Sequence, residues 1–208
     1  MPTSSLVSTK MVWYKRPWVL ITFAIVVVVG VSVITDLPHP ISKVEDAASQ
    51  NASMKEINTD IAPCTYAVKE SFRFYEWDVT GKLTAANKQQ VPSLLLNDQT
   101  ACSFASGAIY DLTNNVQVLD TTAGKNIDKT LRVIMTWTTG DALAAIEDIQ
   151  YLYNHPGDAK KIHDLHVQQI LLEKDRQIAF GYTAEASSLL GLPITEPQLP
   201  SLPHLTGT

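Results

Sequence analysis

Residues 127–152 read IDKTLRVIMTWTTGDALAAIEDIQYL. Ile127, Leu131, Ile134, Thr138, Ala142, Ala145, Ile149 and Leu152 recur at steps of three and four. That spacing draws one stripe along an α-helix, whereas a strand would alternate every second residue. The same rhythm runs outward in both directions. Upstream it links Ile61, Cys64, Val68, Phe72, Tyr75 and Val79, then Leu95, Cys102, Ala105, Ile109, Leu112 and Val116. Downstream it links Ile162, Leu165, Leu172, Ala179, Ala186 and Leu190. Two-residue alternation is scarce, and its best instance, 115–119, falls between stripes. The expectation is an all-α fold, with about four antiparallel helices burying their stripes in a common interior over residues 58–191.

Punctuation divides the stripes. Gly81 is placed to end the first helix, and Thr84 or Ser93 to begin the second. Residues 121–125 read as a loop, with Asn126 as the N-cap of the third helix. Gly140 either weakens that helix or splits it. His155-Pro156-Gly157 is a turn, Asp158 an N-cap, and Gly191 with Pro193 a stop.

The chain has 208 residues, of which 45% are hydrophobic and 18% charged, with a formal net charge of −5. That balance excludes a strongly basic nucleic-acid binder, so no nucleic-acid partner is expected. The hydrophobicity is uneven. Residues 18–35, WVLITFAIVVVVGVSVIT, carry no charge. Crossing a bilayer takes about 20 apolar residues, with roughly 17 as the lower limit. Lipid cannot hydrogen-bond a peptide group, so this block is expected to be a single transmembrane helix in contact with the bilayer. Lys10, Lys15 and Arg16 precede it and no acid does, whereas Asp36 follows it. The charge bias makes residues 1–17 a short basic cytoplasmic N-terminus and places the remainder outside the cytosol. Trp13, Tyr14 and Trp18 suit the inner interface. A cleaved signal peptide is the rival reading. The apolar run exceeds a typical h-region of about 7–15 residues, and no small-residue cleavage site follows it. A retained signal anchor fits better.

Past residue 35 lie all 21 acids and 13 of the 16 basic residues, a formal charge of −8. Residues 36–57 are polar and read as a linker, either a stalk or a weak helical extension. They include Asn51-Ala52-Ser53, which matches the glycosylation acceptor pattern. Residues 192–208 hold Pro193, Pro197, Pro200 and Pro203, a density that no helix or sheet interior tolerates. They read as an extended or disordered tail.

The only two cysteines are Cys64 and Cys102. An extracytoplasmic compartment favours their pairing. In a hairpin of straight helices, cross-linked residues lie equally far from the turn. Leu83 lies midway between them, beside the turn that Gly81 marks. The pairing therefore agrees with the helix boundaries, at the cost of placing Pro92 inside the second helix. A catalytic Cys–His pair is disfavoured, because oxidation would silence the thiol.

Three clusters could carry chemistry. His163 and His166, with Glu173 two turns on, share one helical face as metal ligands must. This chain nevertheless has no Glu-x-x-His, and the face also carries Lys174 and Gln177. Glu147 and Asp148 are adjacent acids near Tyr151, but neighbours on a helix point about 100° apart and cannot share one substrate. Phe72, Phe74, Tyr75 and Trp77 are more aromatics than one stripe buries, so part of this set is expected to meet Trp137, a partner or a ligand. Phosphate loops, nucleophile elbows, zincin motifs and long-period repeats do not occur. The sequence therefore points to a non-enzymatic, membrane-anchored envelope protein that needs no cofactor. Its expected role is structural or partner-binding, with an envelope protein as partner and the aromatic first helix as the contact. Ligand sensing in a pocket near Trp77, Trp137 and Tyr151, working with a separate membrane protein, is the alternative. A metal-dependent enzyme is a distant third.

Overall fold

A computed structural model describes residues 41–115, 119–203 and 205. The expected span at 18–35 and the N-terminal 1–17 lie outside the described residues. Among the described residues, no helix is long and apolar enough to cross a membrane.

The described chain is helical, without strands. The elements are α1 (Lys43–Val79), α2 (Ala85–Asn115), α3 (Thr122–Thr136), a π-helical segment (Trp137–Ala142), α4 (Leu143–Asn154) and α5 (Ala159–Leu190). Since α3, the π-segment and α4 form one continuous rod, four rods make the bundle. α1 and α2 form one hairpin, and the α3–α4 rod forms another with α5.

The stripe that opened the sequence reading is the core. All eight residues from Ile127 to Leu152 named above are buried, against Phe72, Leu95, Ile109, Leu165 and Leu172 from the other rods. The other stripes are buried in their middles. On α1 the stripe ends early, with Tyr75 half-buried and Val79 56% exposed.

α1 begins sooner than the polar composition of 36–57 implied. Ser42 and Glu45 form a reciprocal capping box: Glu45 N–H donates to Ser42 Oγ (3.2 Å) and Ser42 N–H to Glu45 Oε2 (3.0 Å). Ala47, Met54 and Ile57 then bury into the bundle. Residues 43–57 are thus the first turns of α1, the helical extension rather than the stalk among the two readings of this stretch. The motif Ser42-Lys-Val-Glu45 carried that signal.

Other boundaries follow local chemistry. Gly81 (φ 69°) and Gly191 (φ 68°) take the left-handed conformation that ends a helix. Thr84 Oγ1 accepts from Asn87 N–H at the start of α2. Thr121, not Asn126, caps α3, its hydroxyl accepting from Gly124 N–H at 2.9 Å. Asn126 is instead buried inside α3. Asp158 caps α5 as expected.

Gly140 does not split the third rod. It sits in the π-helical segment, where Thr138 and Thr139 hydroxyls donate back to the Met135 carbonyl at 3.0 and 2.8 Å. Such back-bonding eases a shift in the helical register. Pro92 lies within α2, and its missing N–H would leave the Lys88 carbonyl without a helical donor. The Tyr153 hydroxyl of α4 donates to that carbonyl instead. Cys64 and Cys102 are bonded, both fully buried, joining α1 to α2.

Candidate functional site

The α1 aromatics turn out to be mostly core. Phe72 and Trp137 are fully buried, and Phe74, Tyr75 and Trp77 are half-buried against the same cluster. Phe74 meets Trp77 edge-on at 6.1 Å. The Arg73 guanidinium sits 4.7 Å from the Trp77 ring and also pairs with Glu70. The space framed by Phe74, Tyr75, Asp78, Val91, Ile149 and Tyr153 is about 10 Å³. That is at or below what one water needs. These rings fill a space rather than line one.

Tyr151 does not join them. It stacks on His155 at 4.4 Å, and its hydroxyl donates to Asp158 Oδ2 at 3.3 Å, in the turn before α5. Trp137 lies about 20 Å back along the same rod. The expected pocket among Trp77, Trp137 and Tyr151 is therefore not assembled, because Trp137 lies well back along the rod and Tyr151 is turned into the bend before α5.

Nor are the metal candidates brought together. His163 is exposed, His166 is half-buried, and Glu173 accepts from Arg176 (2.8 Å) and Gln177 (3.2 Å). Among the described residues, no group of three or more His, Cys, Asp or Glu is placed to hold a metal ion. Glu147 and Asp148 diverge: Glu147 accepts from Gln99 on α2, and buried Asp148 pairs with Lys161 on α5 at 2.6 Å.

Two other features emerge. The first is the outward face of α2. Leu96 (56% exposed), Phe104 (76%) and Tyr110 (60%) lie within about a third of the helix circumference, opposite the buried stripe. Thr100, Ser103 and Gly107 fill the arc between them. From Gln89 to Asn115 the only charged residues are Asp98 and Asp111, and Asp98 is turned toward α1. Three large exposed hydrophobic residues on one arc, with a single exposed charge beside them, stand out on a domain this acidic. The scarcity of charge was legible in the sequence. The exposure was not, since the stripe marks only what is buried.

The second is the trough between α1 and α5, which the tail occupies. Asn51 Nδ2 donates to the Pro193 carbonyl (3.0 Å), and its Oδ1 accepts from Thr195 N–H (2.6 Å). Asn58 repeats the pattern, donating to the Glu196 carbonyl (2.9 Å) and accepting from Gln198 N–H (2.8 Å). Ile194, Pro197 and Leu199 are buried beneath. Further on, Gln169 of α5 donates to the Pro203 carbonyl. As far as Pro203 the tail is thus extended, as its prolines require, and docked along the bundle. Hydrophobic residues between the prolines, together with Asn51 and Asn58 on α1, were the missed signal. The same contacts engage the amide of the Asn51-Ala52-Ser53 acceptor pattern.

Burial raises three carboxyls above their ordinary range. Burial pushes Asp98 up to about 6, helped by Glu70 alongside and opposed by the Ser71 hydroxyl that donates to it at 2.8 Å. Burial likewise raises Asp141 of the π-segment to about 6, and Asp175 of α5, hydrogen-bonded to it, adds to the rise. Burial raises Asp175 too, with Lys174 opposing.

No protein-family model matches this chain, and neither a curated protein nor a solved structure is significantly similar to it.

Proposed function

We propose that the protein is a membrane-anchored, extracytoplasmic helical bundle that presents the outer face of α2 to a protein partner in the cell envelope. The observation that carries this reading is the exposed, nearly uncharged arc of Leu96, Phe104 and Tyr110. Isolated apolar residues on a surface are ordinary, but a contiguous face marks a contact. The buried Cys64–Cys102 bond supports an oxidising compartment. The uncharged, basic-flanked block at 18–35 supports tethering to the bilayer. The aromatics of α1 pack in or against the core, and this reading places the contact on α2 instead. The complementary partner has an apolar surface rimmed by lysine or arginine, since the exported portion carries a charge of −8.

The test is site-specific photo-crosslinking in intact cells, with the reactive residue at position 104 of the full chain and, as control, at Lys174 on α5. The expected result is one discrete adduct from position 104 that is absent from position 174. Tyr110→Glu, at the edge of the same arc, should remove it without lowering the amount of protein. Equal labelling from both positions, or none from position 104, would contradict the reading.

A further inference from the structure

The trough between α1 and α5 holds its occupant through main-chain groups, and this says what else it can hold. A side-chain amide offers the same acceptor and donor as a peptide group. Asn51 and Asn58 therefore each pair with the tail as a neighbouring strand would, taking the carbonyl of one residue and the N–H two residues on. The asparagines are seven residues apart, nearly two helical turns and about 10.5 Å. The paired positions on the tail are three residues apart, one turn of polyproline II and about 9.3 Å. The repeats agree within about 1 Å, so the second rung follows from the first.

The prolines fit this register. Past Leu192, whose N–H donates to the Ser187 carbonyl at the helix end, the described tail N–H groups that donate belong to Ile194, Thr195 and Gln198, and Pro193, Pro197, Pro200 and Pro203 all avoid those positions. The recognised pattern is therefore general. It requires a carbonyl at a first position, an N–H two later, a carbonyl three later and an N–H five later. Apolar residues stand one, four and six positions after the first, as Ile194, Pro197 and Leu199 do. Open groove remains beside the tail, about 600 Å³ along α1 and about 450 Å³ along α5. The tail lies in the trough without being walled in.

We propose that this trough is a receptor for an extended, proline-bearing segment of a partner polypeptide, and that the chain's own residues 193–199 occupy it at rest. Proline-rich segments suit such a site because they lose little conformational freedom on binding. The resident tail competes at the high local concentration that a short tether gives, of millimolar order or above. A partner thus engages fully only when the tail is displaced. This site is on a different face from the α2 arc and does not depend on it.

The experiment uses the full chain in detergent micelles, with a fluorescent synthetic peptide of residues 192–205, LPITEPQLPSLPHL, as the probe. Thr195→Pro with Gln198→Pro in the chain removes both donor N–H groups and frees the trough. The expected result is peptide binding about tenfold or more tighter than to the wild type, set by the lost competition. Adding Asn51→Ala and Asn58→Ala should abolish it, and a peptide with proline at positions 195 and 198 should not bind. Hydrogen exchange on the wild type is the second measurement. Thr195 and Gln198 amides should exchange through local opening, faster than amides of the bundle core. A folded tail variant that fails to bind the peptide would overturn the proposal. So would a variant that cannot fold, or Thr195 and Gln198 amides that exchange only with global unfolding, since either makes the tail a fixed part of the core.

Discussion

Asp98 and Asp141 show how a single position senses its surroundings. Each is a carboxyl held near the bundle interior, raised to about 6 by burial first, with Glu70 or Asp175 adding to it. A raised carboxyl pKa means that the folded chain holds the proton more tightly than the unfolded chain does. The linkage then fixes the sign: between about pH 4 and pH 6, stability rises as the pH falls. Above about pH 6 this contribution is gone. Glu45 and Asp158 act oppositely, since their capping hydrogen bonds lower them, but their loss begins only at more acid pH. The denaturant midpoint of the full chain should therefore be higher at pH 5 than at pH 7. Asp98→Asn with Asp141→Asn should remove most of that difference. An equal or lower midpoint at pH 5, or an unchanged difference in the double variant, would contradict the assignment. The residue scale also holds what the sequence concealed most. Nothing in the run around Asp98 announces that the Ser71 hydroxyl of another helix will meet it, because that contact depends on how two rods rotate against each other.

Among the elements, the α1–α2 hairpin is the one whose geometry was legible beforehand. Equal distances of Cys64 and Cys102 from Leu83, beside the turn that Gly81 marks, predict a helical hairpin, and the bond is found there. A loop of 38 residues closed by a disulfide gains about 4 kcal/mol in the chain-entropy model. Cys64→Ala with Cys102→Ala should lower the unfolding free energy by about that amount while the helical circular dichroism persists. Free thiols titrating in the untreated wild-type chain, or a double variant as stable as the parent, would contradict the bond. Boundaries were harder to read than elements. The start of α1 was obscured by its polar composition, although the capping box at Ser42 and Glu45 was present. The third rod kept its stripe across Gly140 because a π-helical segment absorbed the disruption, a response that periodicity alone does not reveal. The tail was judged by its prolines, which correctly forbid a helix. Those prolines do not forbid docking, and the asparagines that dock it lie 138 to 144 residues away in sequence.

Over the described residues, the rods, the disulfide and the strapped tail enclose one hydrophobic core. The surfaces proposed for recognition are the α2 arc and the α1–α5 trough. Fold class was recoverable because stripes repeat over many residues and the bundle is the simplest way to bury them. A contact surface was harder to read, because abundant aromatics on α1 signal either core or interface: Phe72 is buried, while Phe74, Tyr75 and Trp77 are only half-buried. The proposed extracytoplasmic compartment rests on the apolar block at 18–35, the flanking charges and the disulfide taken together. Its most direct test is protease accessibility of the full chain in spheroplasts, with an epitope at the C-terminus and a cytosolic protein as control. The account predicts that external protease destroys the epitope while the control survives. An epitope that stays intact until the membrane is dissolved would contradict the account.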